Sequence, residues 1–139
     1  MPVYREIIKL QTRGKEDMTD LSAQVEKIVS RSGIKEGLVH IFNVGSTASI
    51  GTIEFEPGLV EDFPAMMNKI APPGRNYGHE QAWHDGNGHS HLQASLMGPG
   101  ITLPVEKGAL VCGTWQQVFH YEADNKPRHR EIIVTVMGD

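Results

Sequence analysis

The chain has 139 residues, 39% hydrophobic and 22% charged, with a formal net charge of −4. That balance is ordinary globular usage and excludes a disordered segment, and the length is enough for one domain that buries its own core. No long basic run is present, which argues against general nucleic-acid binding, where a cationic surface must neutralise phosphates.

Val3 to Leu10 reads as a strand, with Tyr4, Glu6, Ile8 and Leu10 on one face and Val3, Arg5, Ile7 and Lys9 on the other. Gln11 to Met18 is polar, contains Gly14 and reads as a loop. Thr19 or Asp20 is placed to cap a helix whose apolar residues Leu21, Val25, Ile28 and Val29 recur at helical spacing, and Ser32-Gly33 stops it. Gly37 to Val44 shows little polar alternation and is expected to be a central strand; His40 within it reads as a hydrogen-bonded core residue. Small and hydroxylated residues follow from Gly45 to Thr52, and Glu54 and Glu56 share a face if the strand continues to them.

Pro57-Gly58 punctuates the chain, and the spacing of Leu59, Phe63, Met66, Met67 and Ile70 predicts a helix. Pro64 places its regular start near residues 61 to 63. Ala71-Pro72-Pro73-Gly74 ends it, and Asn76 to Asn87 reads as a long polar loop. A short helix is expected from Gly88, closed by Gly98-Pro99, then a short extended segment over Ile101 to Val105 and a turn at Glu106 to Gly108. Ala109 to Val111 opens a strand that Gly113 to Glu122 continues, Asp124 to Pro127 is a hairpin-type turn, and Arg128 to Met137 is a closing strand. On that strand Ile132, Val134 and Val136 face opposite Ile133, Thr135 and Met137. The element order suggests an α+β protein, with helices outside a largely antiparallel sheet that doubles into a sandwich.

Cys112, the one cysteine, lies in an apolar run and reads as a small core residue, not a nucleophile. No stretch reaches the roughly 20 apolar residues of a membrane span. The N-terminus alternates apolar and charged residues, unlike a signal peptide. A cytoplasmic location without membrane contact is the expectation.

Candidate chemistry concentrates in one stretch. Four of the seven histidines, His79, His84, His89 and His91, fall within thirteen residues, together with Glu80, Asp85 and Asn87. Imidazole is the commonest metal ligand and titrates near neutral pH. A catalytic zinc site needs three protein ligands and an open position, which this stretch can supply locally. The spacing matches no tight signature, so surface histidines and acid/base histidines are open alternatives. Elsewhere, Ser46 and Thr47 suit an anion. Glu54 and Glu56 are either solvated or part of an acid/base or metal site. Trp115 can stack on a planar ring beside Thr114 and Gln116, or be a core tryptophan. Arg128 and Arg130 can meet a phosphate or be solvated.

Taken together, Ser46 to Ser49, Glu54 to Pro57, Tyr77-Gly78-His79, Asn87 to Leu92, Leu103 to Val105, Gly108, Gly113 to Gln116, Arg130 and Gly138 resemble the YjbQ family of secondary thiamine-phosphate synthase enzymes. The resemblance runs from about residue 3 to the end. It implies one YjbQ-like domain over residues 1–139, a β-sandwich with flanking helices, a homotrimer, and a pocket of histidines and polar residues that holds an anion or a divalent metal, zinc by expectation. The residues equivalent to His79 and His91 recur most reliably in the family, His84 and His89 less generally; the expected metal ligands of this chain are His79, His91 and His84. Many family members carry a histidine where this chain has Gly45, so His84 or His89 must replace it or the site is weaker.

The implied reaction joins hydroxymethylpyrimidine diphosphate to thiazole phosphate. In that reading Ser46, Thr47, Asn87, Thr114, Trp115, Gln116 and Arg130 bind substrate, while Glu54, Asp85 and His89 serve as acid/base groups. The stretch is expected to face Ser46, Thr47, Glu54 and Gly113 to Gln116 across one pocket. The alternatives are a metal-dependent hydrolase of a phosphorylated small molecule and a non-catalytic ligand-binding trimer.

Overall fold

The computed structural model describes residues 1–14, 16–74 and 76–139; Lys15, within the segment read as a loop, lies outside them. The fold is α+β, with every strand pairing antiparallel. In chain order the elements are β1 (Val3–Gln11), β2 (Met18–Asp20), α1 (Ser22–Ser32), β3 (Glu36–Val44), β4 (Ala48–Ile53) and α2 (Pro57–Ile70). Then come α3 (Gly78–Trp83), α4 (Gly88–Met97), β5 (Gly100–Glu106), β6 (Ala109–Leu110), β7 (Gln117–Glu122) and β8 (His129–Gly138). A five-stranded sheet has the order β1-β8-β3-β5-β6, and a three-stranded sheet the order β2-β7-β4.

The period-two pattern decides what lies between the sheets. Val39 and Ile41 on β3, and Ile132, Val134 and Val136 on β8, point inward and are fully buried. They meet Ile50 of β4, Val118 of β7 and Val25, Ile28 and Val29 of α1 in one apolar cluster. The other face of β7 carries Phe119 and Tyr121, which pack edge-on against Phe63 and beside Met67 of α2. β7 is therefore buried on both faces, and the small sheet lies between the large sheet and α2.

Several expectations are corrected. Met18–Asp20 is a strand, so Thr19 does not cap α1; Asp20 Oδ1 accepts the Ser22 N–H at 2.9 Å at the helix start. Gly33, at φ 72°, ends that helix in the left-handed conformation glycine tolerates. β3 is central, flanked by β8 and β5, but His40 is exposed on the outer face, where Nδ1 meets Thr102 Oγ1 at 2.8 Å.

β4 ends at Ile53, so Glu54 and Glu56 are no strand pair. Glu56 caps α2, accepting the N–H groups of Gly58 (2.8 Å) and Leu59 (2.6 Å). That cap starts the helix at Pro57, ahead of residues 61–63, with Pro57 at a first-turn position. Pro64 sits buried inside the helix.

The loop expected over 76–87 contains α3. The strand expected over 109–122 is broken: Gln116 N–H reaches Gly113 O at 3.1 Å, and this turn sends β6 and β7 to different sheets. Residues 124–127 likewise link β7 to β8 across the two sheets, so they form no hairpin. Cys112 is half-buried, and burial pushes its thiol pKa up, toward the inert form. Among the described residues no helix is long and apolar enough to cross a membrane.

Candidate functional site

Two short helices present the histidine stretch. Glu80 fastens them together, accepting the Gly88 N–H with Oε1 at 2.9 Å and the Tyr77 N–H with Oε2 at 3.2 Å. A side chain at Gly88 would collide with Glu80 Oε2 and Tyr77 Cβ, both 2.8 Å from where its β-carbon would sit. The glycine is thus a close-approach position that lets one carboxylate tie the starts of α3 and α4.

His79 Nε2 lies 3.2 Å from Asp85 Oδ1 and 2.9 Å from Asn87 Oδ1. Turned over, the Asn87 amide would donate to Asp85 Oδ1 at 2.8 Å and to His79 Nε2 at 2.9 Å, so its orientation follows the proton on His79. Among the described residues, His79, Glu80 and Asp85 form a group whose ligand atoms all lie within 4.8 Å of one another. His91 stands beside it, its ring centroid 4.5 Å from that of His79. His91 also lines a cleft of about 170 Å³ with Gly45, Ser46, Ala48, Ala94 and Ser95.

The other expected site residues are placed differently. His84 is exposed in the left-handed conformation at the end of α3 (φ 55°), outside the ligand group. His89 is buried at 7% exposure with no hydrogen-bond partner on Nδ1 among the described residues, and it lines a separate cleft with Glu16, Gly86 and Asp124. Burial lowers its pKa, against the opposing pull of Glu80, Asp124 and Glu16. Glu54 is exposed and lines neither cleft. Thr114, Trp115 and Gln116 are exposed on a turn fastened by the bond from Gln116 Nε2 to Thr52 Oγ1 at 3.2 Å, and they too line neither cleft. Trp115, 73% exposed, is no core tryptophan.

Behind the histidines lies a polar layer between the sheets. Glu122 is fully buried and accepts from Arg130 Nε (2.7 Å) and Nη2, from Thr12 Oγ1 (2.7 Å) and from the Asp124 N–H (3.1 Å). Arg130 Nη2 also donates to Thr47 Oγ1 at 2.8 Å, and Thr47 donates to Asp124 Oδ2 at 3.0 Å. In the orientation in which its oxygen meets His79 Nε2, Asn87 Nδ2 reaches Asp124 Oδ1 at 3.4 Å and joins this layer to His79. Burial pushes the Asp124 carboxyl up, but bonds from Thr47, the Asn125 N–H and Arg128 carry it below the usual range. Arg130 is 7% exposed, whereas Arg128, whose Nε pairs with Asp124 Oδ2 at 2.8 Å, keeps 39% of its side chain exposed. Burial drives His120 down to about pKa 4, and its Nε2 lies 3.0 Å from Asn43 Oδ1.

Glu122, Asp124, Asn43 and His120 went unseen in the sequence. The available signal was the pairing of two carboxylates, at 122 and 124, with two arginines, at 128 and 130, across one short turn.

Gly45 adopts φ 137°, and a β-carbon there would sit 2.8 Å from Arg130 Nη1. A histidine at this position, which the family resemblance would lead one to look for, would have to displace a guanidinium already clamped by Glu122 and Thr47.

The model of the UPF0047, YjbQ-like proteins matches residues 6–139. A UPF0047 protein of Methanothermobacter thermautotrophicus is 36% identical over 99% of this chain and 94% of its own length. One from Archaeoglobus fulgidus is 35% identical over 94% of this chain and 98% of its own. The crystal structure of a YbjQ-like protein of unknown function from Sulfolobus solfataricus P2 superposes with a TM-score of 0.95 at 38% identity, over 99% of both chains. None of these descriptions names a reaction.

Proposed function

The chain belongs to the UPF0047 family of YjbQ-like proteins, and we propose that it is a divalent-metal enzyme, zinc by its donor set, that hydrolyses a phosphorylated small molecule. The observation that supports this is the convergence of His79 Nε2 and Asp85 Oδ1 at 3.2 Å, within the His79–Glu80–Asp85 group and with the His91 ring alongside. One imidazole with carboxylates suits zinc and its neighbours in the first transition row. Glu80 already accepts two backbone N–H groups, but each carboxylate oxygen keeps a second lone pair for an ion.

A metal held by His79, Glu80 and Asp85 would supply a low-pKa water and would polarise a phosphoryl oxygen. The chain's own residues do the rest. Asn87 holds His79 Nε2 in the metal-free protein, and it would have to release that nitrogen to an incoming ion. Asp85, through the oxygen not given to an ion, would be placed to take a proton from water, and His91, at the wall of the cleft beside Ser46, would be placed to give one to a departing oxygen.

Joining a pyrimidine diphosphate to a thiazole phosphate is the weaker reading. It needs a flat wall and free cations, but Trp115 lines neither cleft and both arginines are engaged. We further propose a homotrimer, supported by the exposed apolar residues Val3, Ile7, Leu38, Val44 and Met137 on the outer face of the large sheet.

The test is metal analysis with a phosphate-release screen over phosphomonoesters. The wild type is expected to carry stoichiometric metal and lose at least about 100-fold in turnover on chelation. His79→Ala combined with His91→Ala is expected to purify without metal. Full metal occupancy in that double variant, or phosphate release indifferent to chelator, sinks the proposal.

A further inference from the structure

Asn87 is 3% exposed, and its amide lies between two carboxylates. One end of the amide is 2.9 Å from His79 Nε2 and 2.8 Å from Asp85 Oδ1. Those two atoms are themselves 3.2 Å apart. The other end is 3.4 Å from Asp124 Oδ1. Whichever way the amide is turned, its oxygen therefore faces a carboxylate: Asp85 in one orientation, Asp124 in the other. With the nitrogen toward His79, Nδ2 donates to His79 and Asp85 together and satisfies the empty site.

An ion reverses that choice. A cation shared by His79 and Asp85 repels an N–H group aimed at the same point and attracts an amide oxygen. The triangle of 2.8, 2.9 and 3.2 Å also has the edges of neighbouring ligand atoms around one ion, which lie roughly 2.8–3.6 Å apart when each bond is about 2.0–2.2 Å. Asp124 is fitted to receive the nitrogen at the other end. Its oxygens accept from Thr47 Oγ1, the Asn125 N–H and Arg128 Nε. It is thus held as an acceptor and has nothing to donate to an amide oxygen.

We propose that Asn87 Oδ1 is a fourth metal ligand beside His79, Glu80 and Asp85, and that Asp124 is the positioning residue that holds this oxygen inward. This deepens the hydrolase reading by completing its donor set, and it rests on that reading for the ion itself. An amide oxygen is a hard, neutral donor. With it, three of the four donors are oxygens, which narrows the preference for Zn2+ over Mn2+.

The test uses metal binding alone, without turnover. Crystals of the wild type are soaked in Mn2+, and the ion is located by its anomalous signal. The expected result is one ion touching His79 Nε2, Asp85 and Asn87 Oδ1, each at about 2.0–2.3 Å. Mn2+ and Zn2+ are then titrated calorimetrically into Asn87→Ala and Asp124→Asn. Asn87→Ala is expected to lose at least about tenfold in Mn2+ affinity and less in Zn2+ affinity, because zinc is content with fewer ligands; a purely structural role lowers both alike. In NMR the Asn87 side-chain amide signals of the wild type should move on Zn2+ addition as the amide turns, and move less in Asp124→Asn. An ion bound to His79 and Asp85 with Asn87 Oδ1 beyond about 3 Å overturns this proposal and leaves the hydrolase reading standing; no bound ion overturns both. Undiminished Mn2+ affinity in Asn87→Ala, or equal losses for the two metals, also overturns the ligand. Unchanged affinity and amide signals in Asp124→Asn overturn the positioning role. Should either variant fail to fold, the soaked wild-type crystal decides by itself.

Discussion

The space between the two sheets has an apolar end and a polar end, and the same strands build both. Along β3 the inward residues run Val39, Ile41, Asn43; along β8 they run Val136, Val134, Ile132, Arg130; along β7 they run Val118, His120, Glu122. The period of two never breaks, but the chemistry changes partway along every strand. At the apolar end burial alone is stabilising, at roughly 25 cal/mol per Å² removed from water. At the polar end burial costs free energy unless each group is paired, and the pairs found there extend through Asp124 and Asn87 to His79. One end holds the fold together, and the other holds the candidate site in position.

The comparison breaks most visibly at Glu122. Glu122→Ala would leave the Arg130 charge buried and unpaired, and it is expected to cost about 3–5 kcal/mol in denaturant unfolding. Replacing Glu122 and Arg130 together by methionine is expected to recover most of that loss, because the desolvation penalty of both ions disappears with them. An Ile132→Ala change at the apolar end costs a similar amount through a cavity, about 2–5 kcal/mol, and no second substitution at a charged residue relieves it. A Glu122→Ala cost below about 1 kcal/mol would mean that the two ends do not differ in kind.

The apolar end was legible in the sequence and the polar end was not, for one physical reason. Ile132, Val134 and Val136 announce an inner face because apolar residues at period two suit a strand with one side turned to a core and little else. Glu122 drew no reading of its own, and Arg130 read as a phosphate ligand or a solvated charge, since a charge is normally buried only with a partner, and the partner lies in another element. α2 was legible in its apolar spacing but misplaced at its start, because the cap belongs to Glu56, which read as half of a strand pair. The histidine density pointed to the correct region. It could not show that His79 gathers Glu80 and Asp85 while His84 turns away, because that depends on the left-handed residue ending α3.

A gentler way to sharpen the contrast is pH. His120 sits at the polar end with its pKa lowered to about 4 by burial, the pull of Glu122 and Asp17 being insufficient to restore it. The unfolded chain returns it to about 6.5, so between those values the unfolded state binds the extra proton. Stability is therefore expected to fall as pH drops from about 6.5 to about 4, by a few kcal/mol at most, with His89 acting in the same direction. Measured by urea unfolding across this range, His120→Gln should flatten the slope. An equal slope in the variant would move the pH sensitivity elsewhere.

The smallest effect on the fold, and the one that asks what the large sheet's other face is for, concerns Leu38. The outer face carries apolar rows, Val3–Met137–Leu38 and Ile7–Ile133–Phe42, divided by a polar row of Arg5, Thr135 and His40. Arg5 Nε donates to Thr135 Oγ1 at 3.1 Å across that row. Leu38 is 47% exposed, so Leu38→Glu removes little buried area and should leave the circular dichroism spectrum and the intrinsic stability within about 0.5 kcal/mol of wild type. If copies of the chain cover this face, the same substitution places a carboxylate in an apolar contact and should disperse the assembly. Light scattering is then expected to give about three times 15.4 kDa for the wild type and a single chain's mass for the variant. A wild-type mass of one chain removes the trimer, while a trimer indifferent to Leu38→Glu moves the interface off this sheet.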